Sequence, residues 1–304
     1  MAFTPLNALN SFIAVARRRS FAAAARDLGV STSALSQSVR QLEARLGVTL
    51  LTRTSRTVAL TEAGQRLLEN AGPAVEQALE SLRTVTARPG EVTGRVRLSV
   101  PSVAVPLVVA RLLPRFIERY PKVEVEVQVE NRFVNIVAEG LDAGIRLTEA
   151  IERDMVQVRL TAPGRFVVAA APSYLARRGT PQKPPDLLQH DCICIRTSTS
   201  GARYAWELER GRKTWRVPVQ GPITTNDAEL MRLVALAGAG LVYTFESLIA
   251  DELARGSLRL VLEQYAAAVP GLFLYFPSRS QVSPAFRAFV DLARELATAS
   301  KPRA

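Results

Sequence analysis

The chain has 304 residues, of which 48% are hydrophobic and 22% are charged. These values describe a soluble globular protein with two or three domains, since a domain usually holds about 100–200 residues. No apolar run approaches the roughly 18–20 residues that cross a bilayer, and the first residues lack the order of a signal peptide. We therefore expect a cytoplasmic protein without a membrane partner.

The chain is poor in cysteine and histidine. Cys192 and Cys194 are its two cysteines and His190 is its one histidine. They are too few for a disulfide framework, a zinc site or a Ser-His-Asp triad. We expect no metal, no cofactor and no enzymatic activity. The cysteines lie at i and i+2 of a predicted strand, so they are either buried structural thiols or a pair that senses oxidants.

Positive charge is concentrated at the start of the chain. The net charge is +11, from 39 basic and 28 acidic residues. Residues 1–60 hold eight arginines against two acids, whereas residues 61–90 hold three arginines against four glutamates. This distribution favours a polyanionic partner for the N-terminal part, and a general abundance of arginine is the alternative.

The first 47 residues predict three helices. Apolar residues recur at helical spacing over residues 6–16. Ser20 and Ser31 stand at the N-cap positions of the second and third helices. Gly29 and Gly47 stand where those helices should end. Two short helices joined by a glycine-containing turn predict a helix-turn-helix.

The third helix has one side that carries hydroxyl, amide and guanidinium groups and no acid. Its members are Thr32, Ser33, Ser36, Gln37 and Arg40. A helix that presents such groups without bulk fits a DNA major groove. An ordinary solvated face is the alternative, although such faces usually mix glutamate with lysine.

Residues 51–60 form two β-prone stretches around a polar tip, which predicts a short hairpin or wing. Arg53 and Arg56 flank this tip. We expect them to reach a phosphate or the adjoining minor groove, where they would add affinity more than sequence preference.

A long helix is predicted from Thr61, its N-cap, to about Thr86. Its apolar residues step alternately by three and four: Leu68, Ala71, Val75, Ala78, Leu82 and Val85. Such a heptad seam predicts a homodimer through this helix. Pro73 should kink the helix, and packing of the seam within the chain is the alternative.

Together these residues resemble a known family. The resemblance rests on the order and spacing of Phe12-x-x-Val15-Ala16, Ser20-Phe21-x-x-Ala24-Ala25-x-x-Leu28, Val30-Ser31, Ala34-Leu35-Ser36, Leu42-Glu43, Leu46-Gly47-Val48-x-Leu50, Arg53, Arg56 and Leu60-Thr61-x-Ala63-Gly64. The chain resembles LysR-type transcriptional regulators. The resemblance implies a winged helix-turn-helix, a linker-helix dimer that often assembles into a tetramer, and binding to pseudo-palindromic promoter DNA.

The resemblance also implies particular DNA contacts, namely Thr32, Ser33 and Ser36 on the recognition helix and Arg53 on the wing. Thr32 and Ser33 replace a Gln-Pro pair often seen in the family, so its base preferences do not transfer. Leu51 replaces the usual phenylalanine and is interpreted as a core substitution.

The rest of the chain alternates predicted strands and helices. Strands are predicted at residues 95–100, 123–129, 140–147, 156–160, 166–170, 192–195, 241–245 and 272–276, and the later helices at 227–237, 247–255 and 284–299. This order is typical of mostly parallel α/β sheets. The resemblance implies a two-lobed effector domain similar to periplasmic solute-binding proteins.

We therefore expect three parts. Residues 1–60 are the DNA-binding domain, 61–90 the linker helix and hinge, and 91–304 the effector domain. Lobe I is expected at about 91–163 and 269–304, and lobe II at about 164–268.

Ligands of open α/β sheets lie beyond the carboxyl ends of strands and at helix N-termini. The candidate effector contacts at such positions are Ser102, Asn131, Arg146, Thr197, Ser198, Ser200, Asn226, Thr244 and Phe245. Each one taken alone fits a cap or turn residue equally well. Arg146 favours an anionic effector or an internal ion pair, and Phe245 fits an aromatic ligand or the core.

The hypothesis is a homo-oligomeric transcription regulator whose lobes close on a small molecule and so alter how promoter DNA is held. RNA polymerase is a further expected partner. The alternatives are a DNA-binding unit fused to an α/β enzyme domain, a redox-responsive regulator that uses Cys192 and Cys194, and a DNA-binding protein without an effector.

Overall fold

The fold was analysed in a computed structural model, which describes residues 5–53, 58–84, 91–147, 155–197, 201–278 and 283–299. The N-terminal elements are α1 (Pro5–Arg18), α2 (Phe21–Leu28), α3 (Thr32–Leu46), β1 (Leu51–Arg53), β2 (Val58–Leu60) and α4 (Glu62–Thr84). The two strands pair antiparallel, with Leu51 opposite Leu60, and form the wing.

The predicted N-caps and the glycine ends of α2 and α3 are confirmed, whereas the predicted end of α4 near Thr86 lies outside the described residues. The hydroxyl of Ser20 accepts from the N–H of Ala23, and that of Ser31 accepts from Ala34, each at 3.2 Å. The hydroxyl of Thr61 accepts from the N–H of Gly64 at 3.0 Å and starts α4. Gly29 ends α2 at φ +64°, a left-handed conformation that glycine adopts without steric cost.

The core of the N-terminal domain is built by one face of each of its helices. Its largest side chains with almost no exposure are Phe12, Leu35, Leu50 and Leu68. Leu51 lies in the same core, in agreement with its interpretation as a core substitution.

Two residues of the predicted heptad seam pack within the chain. Leu68 and Val75 are buried against α1 and the rest of the N-terminal core, so these two do not need a second chain to leave water. Ala71 is half-buried and Ala78 is exposed, and the helix is continuous through Pro73. The side chain of Leu82 and the whole of Val85 lie outside the described residues.

The first part of the effector domain contains β3 (Gly94–Val100), α5 (Ala110–Arg119), β4 (Val123–Val129), β5 (Ala143–Leu147) and β6 (Met155–Arg159). It is followed by β7 (Gly164–Ala170), α6 (Pro172–Arg178), β8 (Cys194–Ile195), β9 (Trp206–Arg210), β10 (Lys213–Val217) and β11 (Thr224–Thr225). The last elements are α7 (Ala228–Leu236), β12 (Val242–Phe245), α8 (Ala250–Ala254), β13 (Arg259–Val261), β14 (Ala267–Val269), β15 (Leu272–Pro277) and α9 (Pro284–Ala299).

These elements form two lobes with separate sheets. The lobe I sheet has the strand order β4-β3-β5-β15-β6, and α5 and α9 contribute to its core. Lobe II is built around β12-β7-β13, with β14 also paired to β7, and includes the hairpin β9–β10. The chain returns to lobe I through β15, so lobe I is built from two segments that are distant in sequence, whereas lobe II is continuous.

The expectation of mostly parallel sheets is wrong. β3 is parallel to β4 and β5, but β15 is antiparallel to β5 and β6, and β7 is antiparallel to each of its partners. The reversal in lobe I follows from the late return of the chain, because β15 enters the sheet from lobe II rather than through a βα crossover.

Two local predictions also need correction. The strand predicted from Gly140 begins at Ala143, and the helix predicted at 247–255 is a 3₁₀ turn at Glu246–Leu248 followed by α8. The hairpin β9–β10 was not predicted. Within the described ranges, no helix combines the length and apolar character that crossing a membrane requires.

Candidate functional site

The predicted DNA-contacting face lies on the outer side of α3. Thr32, Ser33, Gln37 and Arg40 are exposed, and Ser36 is half-buried beside them. The same helix buries Leu35, Val39 and Leu42 in the domain core. One side of α3 is therefore fixed by packing while the acid-free side faces outward.

The wing is tied to α3 by the carboxylate of Glu43, a residue of the family motif for which the sequence predicted no structural role. Glu43 accepts from the backbone N–H groups of Leu50 and Leu51 through its Oε1, at 2.9 and 3.1 Å. These bonds fix the start of β1 against α3. The sequence signals that could have indicated this role are the Leu42-Glu43 motif and the position of an acid in the last turns of a helix that precedes a strand.

The two predicted wing arginines differ in what the structure shows. The backbone of Arg53 ends β1, opposite Val58 of β2. Arg56 lies outside the described residues. Arg53 therefore stands at the end of β1 remote from Leu51.

Three of the predicted effector contacts meet where the two lobes face each other. Asn131, just after β4 in lobe I, accepts from the backbone N–H of Ser102 through Oδ1 at 2.9 Å. Its Nδ2 donates to the backbone carbonyl of Asn226 in lobe II at 2.7 Å. Asn226 is exposed and directly precedes Asp227, the N-cap of α7. One amide side chain therefore joins the ends of three segments across the cleft.

Arg146 lies beneath this junction and donates to the chain's own oxygens. Its Nη2 donates to the carbonyls of Glu130 and Arg132 at 2.9 and 3.0 Å, and to the hydroxyl of Ser99 at 3.2 Å. Its Nη1 donates to the carbonyl of Ile145 at 2.7 Å. Burial lowers the pKa of this guanidinium, which stays charged because an arginine does not deprotonate in proteins. Arg146 thus fixes the backbone on both sides of Asn131.

The remaining predicted effector contacts are not gathered at the junction. Thr244 and Phe245 are 5% and 3% exposed in β12, and the Phe245 ring packs edge-on against Phe166 at 5.5 Å. For Phe245 this geometry supports the core alternative. Thr197 is half-buried and donates through its N–H and its hydroxyl to the carbonyl of Ala202. Ser198 and Ser200 lie outside the described residues.

Both cysteines are buried free thiols in lobe II. Burial raises the pKa of Cys192 to about 12 and raises that of Cys194 as well. At neutral pH both groups are therefore protonated, and a thiol reacts with oxidants far more slowly than a thiolate. His190 contacts the hydroxyl of Tyr174 through Nδ1 at 3.2 Å, and burial lowers its pKa. The environment of the cysteines supports the structural interpretation rather than the redox alternative.

Family comparisons match both parts of the chain. The model for the bacterial regulatory helix-turn-helix protein, lysR family, covers residues 6–65, and the model for the LysR substrate binding domain covers residues 89–298. A Pseudomonas aeruginosa protein named only as a transcriptional regulator is 41% identical over 95% of this chain and 94% of its own. The Escherichia coli HTH-type transcriptional regulator PgrR is 33% identical over 93% and 95%.

Solved structures agree with the fold along nearly the whole chain. The full-length Vibrio cholerae virulence activator AphB superposes with a TM-score of 0.66 at 20% identity, over 96% of this chain and 99% of that one. CrgA from Neisseria meningitidis gives a TM-score of 0.59 at 27% identity, over 95% and 98%.

The chain belongs to the LysR family of transcriptional regulators. It combines the family's helix-turn-helix with its two-lobed substrate-binding domain, so both the predicted family and the predicted fold class are confirmed.

Proposed function

We propose that this regulator reads promoter DNA with the outer face of α3 and contacts phosphates with its wing. The proposed contacts are Thr32, Ser33, Ser36, Gln37, Arg40, Arg53 and Arg56. The observation that carries the proposal is the exposure of a small, acid-free polar face on a helix whose other side is locked into the domain core. We propose no enzymatic activity, and we place the protein in the cytoplasm with its DNA.

The geometry supports two kinds of contact. Hydroxyl and amide groups on the first turns of α3 suit base edges in the major groove. Arg40, two turns further along, is exposed and suits a backbone phosphate, as do arginines at the end of the wing. The first kind sets sequence preference, and the second sets overall affinity and its salt dependence.

Base contact is tested on a DNA duplex selected by the protein from a random library. Ser36→Ala should weaken binding to this duplex by about two- to tenfold, the range expected for one lost hydrogen bond, and leave scrambled DNA unaffected. Ser38→Ala is the matched control, because Ser38 lies on the same helix outside the proposed face. Equal affinities of both variants and the parent would contradict the assignment of Ser36.

Phosphate contact is tested by the salt dependence of binding. Arg40→Ala and Arg53→Ala should weaken binding to every sequence and lower the slope of log K against log salt by about one each. Arg66→Ala is the control, because Arg66 is exposed on α4 and pairs with Glu62 at 3.0 Å. An unchanged slope in the first two variants would remove them from the interface.

We further propose that a small-molecule effector binds between the lobes, where Ser102, Asn131 and Asn226 meet. Thr197, Ser198, Ser200 and Thr244 stay candidates on sequence grounds alone. Because the Nη groups of Arg146 donate to backbone and serine oxygens, this arginine gives little support to an anionic effector. The chemical class of the effector is therefore to be identified by a binding experiment.

That experiment is thermal unfolding of the full chain against carboxylates, amino acids, aromatic acids and their neutral analogues. A compound at about 100 times its Kd should add about 2.7 kcal/mol, a rise in Tm of roughly 4 °C for a chain of this length. Asn131→Ala should reduce the shift given by a positive compound. A shift that Asn131→Ala leaves unchanged would place the ligand elsewhere.

We propose that the chain forms a homodimer through α4. Such dimers often assemble into tetramers in this family. Since Leu68 and Val75 pack inward, the dimer contact must use other positions, and Ala78 is exposed on this helix. Ala78→Glu should weaken the dimer in sedimentation-velocity experiments, whereas Asn70→Glu, at another exposed position of α4, should not. Equal sedimentation of both variants and the parent would argue against Ala78.

A further inference from the structure

Arg17, near the C-terminal end of α1, reaches out of the N-terminal domain into a slot between two glycines. A Cβ added to Gly140 of lobe I would lie 2.5 Å from Nε of Arg17, far inside van der Waals contact. A Cβ added to Gly72, which is buried on α4, would lie 3.5 Å from Nη2 of the same side chain. The guanidinium thus occupies space that is open because Gly72 on α4 and Gly140 in lobe I both lack a side chain.

Gly140 ends a short segment of lobe I, residues 131–140, which begins at the inter-lobe junction. Asn131 at its start joins Ser102 of lobe I to Asn226 of lobe II. Gly140 at its end receives Arg17 of the DNA-binding domain. The inter-lobe cleft and the DNA-binding domain are therefore connected by ten consecutive residues.

Side-chain and backbone bonds make this segment a compact unit. Arg132 pairs with Glu139 at 3.0 Å, so its two ends are held together. Asn135 accepts from the N–H of Ala138 at 3.0 Å, and Val134 and Ile136 are buried in a small apolar cluster with Tyr275. These bonds favour movement of the segment as one unit, so that a displacement at one end is felt at the other.

The far end is also held on lobe I itself. The carbonyl of Gly140 accepts from Nη1 of Arg97 at 2.8 Å. Gly140 has φ +65°, a conformation that side-chain-bearing residues rarely adopt. Glycine is therefore required here twice, by the backbone conformation and by the approach of Arg17.

Around this contact, a cavity of about 390 Å³ opens between the two domains. Arg17, Arg19 and Gln65 line it from the N-terminal side, and Arg132, Asn135 and Glu139 line it from lobe I. The Arg17 contact therefore lies beside an open space. This space leaves the Arg17 side chain room to change its position.

We infer that segment 131–140 is the surface on which the effector domain holds its own DNA-binding domain, and that it transmits the state of the Asn131–Asn226 contact to α1 through Gly140 and Arg17. The inference rests on the proposed function, because it names the route by which the cleft and the DNA-binding face affect each other. Two sites coupled in this way change each other's affinities reciprocally.

The test is a double-mutant cycle read out as affinity for the selected duplex. Asn131→Ala removes the inter-lobe hydrogen bond and should change the Kd for DNA by about two- to tenfold in the parent chain. In a Gly140→Ala background the added methyl group displaces Arg17. There the same substitution should change the Kd by less than about 1.5-fold, because the coupling between the two sites is lost.

Gly211→Ala supplies the matched control. Gly211 has φ +62° in the β9–β10 turn and no atom within 4 Å of an added Cβ, so this variant carries the same backbone strain without touching Arg17. The full Asn131→Ala effect should persist in the Gly211→Ala background. Arg17→Ala breaks the contact from the other side without strain at Gly140 and should abolish the effect as Gly140→Ala does.

The inference is overturned if Asn131→Ala has no effect on DNA affinity, or has the same effect in all four backgrounds. Either result leaves the proposed function intact as long as the parent chain prefers the selected duplex over scrambled DNA. Loss of that preference in the parent chain would instead refute the proposed function.

Discussion

The side-chain amide of Asn131 in lobe I donates to the backbone carbonyl of Asn226 in lobe II at 2.7 Å, and its oxygen accepts from the N–H of Ser102. Because Arg146 holds the carbonyls of Glu130 and Arg132, the backbone on either side of Asn131 is fixed. The Asn131–Asn226 hydrogen bond therefore depends on the separation of the two lobes. Because Asn131 accepts with its oxygen and donates with its nitrogen, a substitution can break the inter-lobe bond and keep the bond to Ser102.

Asn131→Asp should open the cleft. The new carboxylate can still accept from Ser102, but it presents an oxygen where the carbonyl of Asn226 needs a donor. Loss of the bond to Asn226, which directly precedes the N-cap Asp227, should loosen the start of α7. The Leu230 amide donates to Asp227 at 2.7 Å, and we expect its hydrogen exchange to become about two- to tenfold faster. Asn135→Asp is the control, because Asn135 uses its side chain only as an acceptor from Ala138 among the described contacts. Equal exchange in both variants would contradict an inter-lobe role for Asn131.

Arg146→Met should destabilise the effector domain. The substitution keeps an apolar stem but leaves the carbonyls of Ile145, Glu130 and Arg132 without this donor. Unsatisfied buried acceptors cost about 1–3 kcal/mol each, and partial access to water limits the total to about 2–4 kcal/mol. Urea unfolding measures the loss. A variant of parental stability that has lost its response to carboxylate ligands would instead make Arg146 an effector contact.

Glu43→Ala should loosen the wing. It removes the acceptor for the N–H groups of Leu50 and Leu51, and charged acceptors stabilise such bonds by about 1.5–3 kcal/mol. We expect lower stability of the N-terminal domain and weaker DNA binding, both restored in large part by Glu43→Gln, which keeps an acceptor oxygen. Glu69→Ala, at an exposed acid on α4, serves as the control. Parental stability of Glu43→Ala would show that the wing does not depend on this carboxylate.

The buried thiol of Cys192 makes stability fall at high pH. Its folded pKa of about 12 lies above the value of about 8.5 for an unfolded cysteine, so the unfolded chain ionises first as the pH rises. The contribution of the protonated thiol to the free energy of unfolding is therefore nearly complete below pH 8. At pH 9.5 it is smaller by about 1.4 kcal/mol. Urea unfolding at pH 7.5 and 9.5 should show this extra loss in the parent chain but not in Cys192→Ala.

The same burial predicts that both thiols resist modification. Ellman's reagent at pH 7.5 should react slowly with the native chain and rapidly after unfolding, and hydrogen peroxide should leave DNA affinity unchanged. Rapid native modification accompanied by altered DNA binding would restore the redox-responsive alternative.

Local sequence signals predicted the elements that local chemistry controls. Ser20, Ser31 and Thr61 cap helices as expected because a hydroxyl at an N-cap satisfies its own helix. The final helix matches its predicted bounds, Pro284–Ala299. The β9–β10 hairpin was missed although Trp206 and Leu208 alternate with glutamates, and that period of two could have revealed it.

Other features depend on distant parts of the chain, which local patterns do not encode. The antiparallel entry of β15 requires knowing that the chain leaves lobe I and returns. Arg146 was expected to meet an anion or an ion-pair partner, but its donors are used by nearby backbone carbonyls and Ser99. Nothing in the spacing of Arg17 and Gly140, more than a hundred residues apart, indicated that they touch.

The most direct test of the account is an equilibrium titration of the full chain with its selected duplex and with a scrambled duplex, from 50 to 200 mM salt. Specific recognition predicts a preference of about a thousandfold or more for the selected duplex, lost in part by Ser36→Ala and kept by Ser38→Ala. A wholly electrostatic interaction predicts equal affinities for both duplexes with the same salt slope. That second result would contradict the assignment of α3 as a sequence-reading helix.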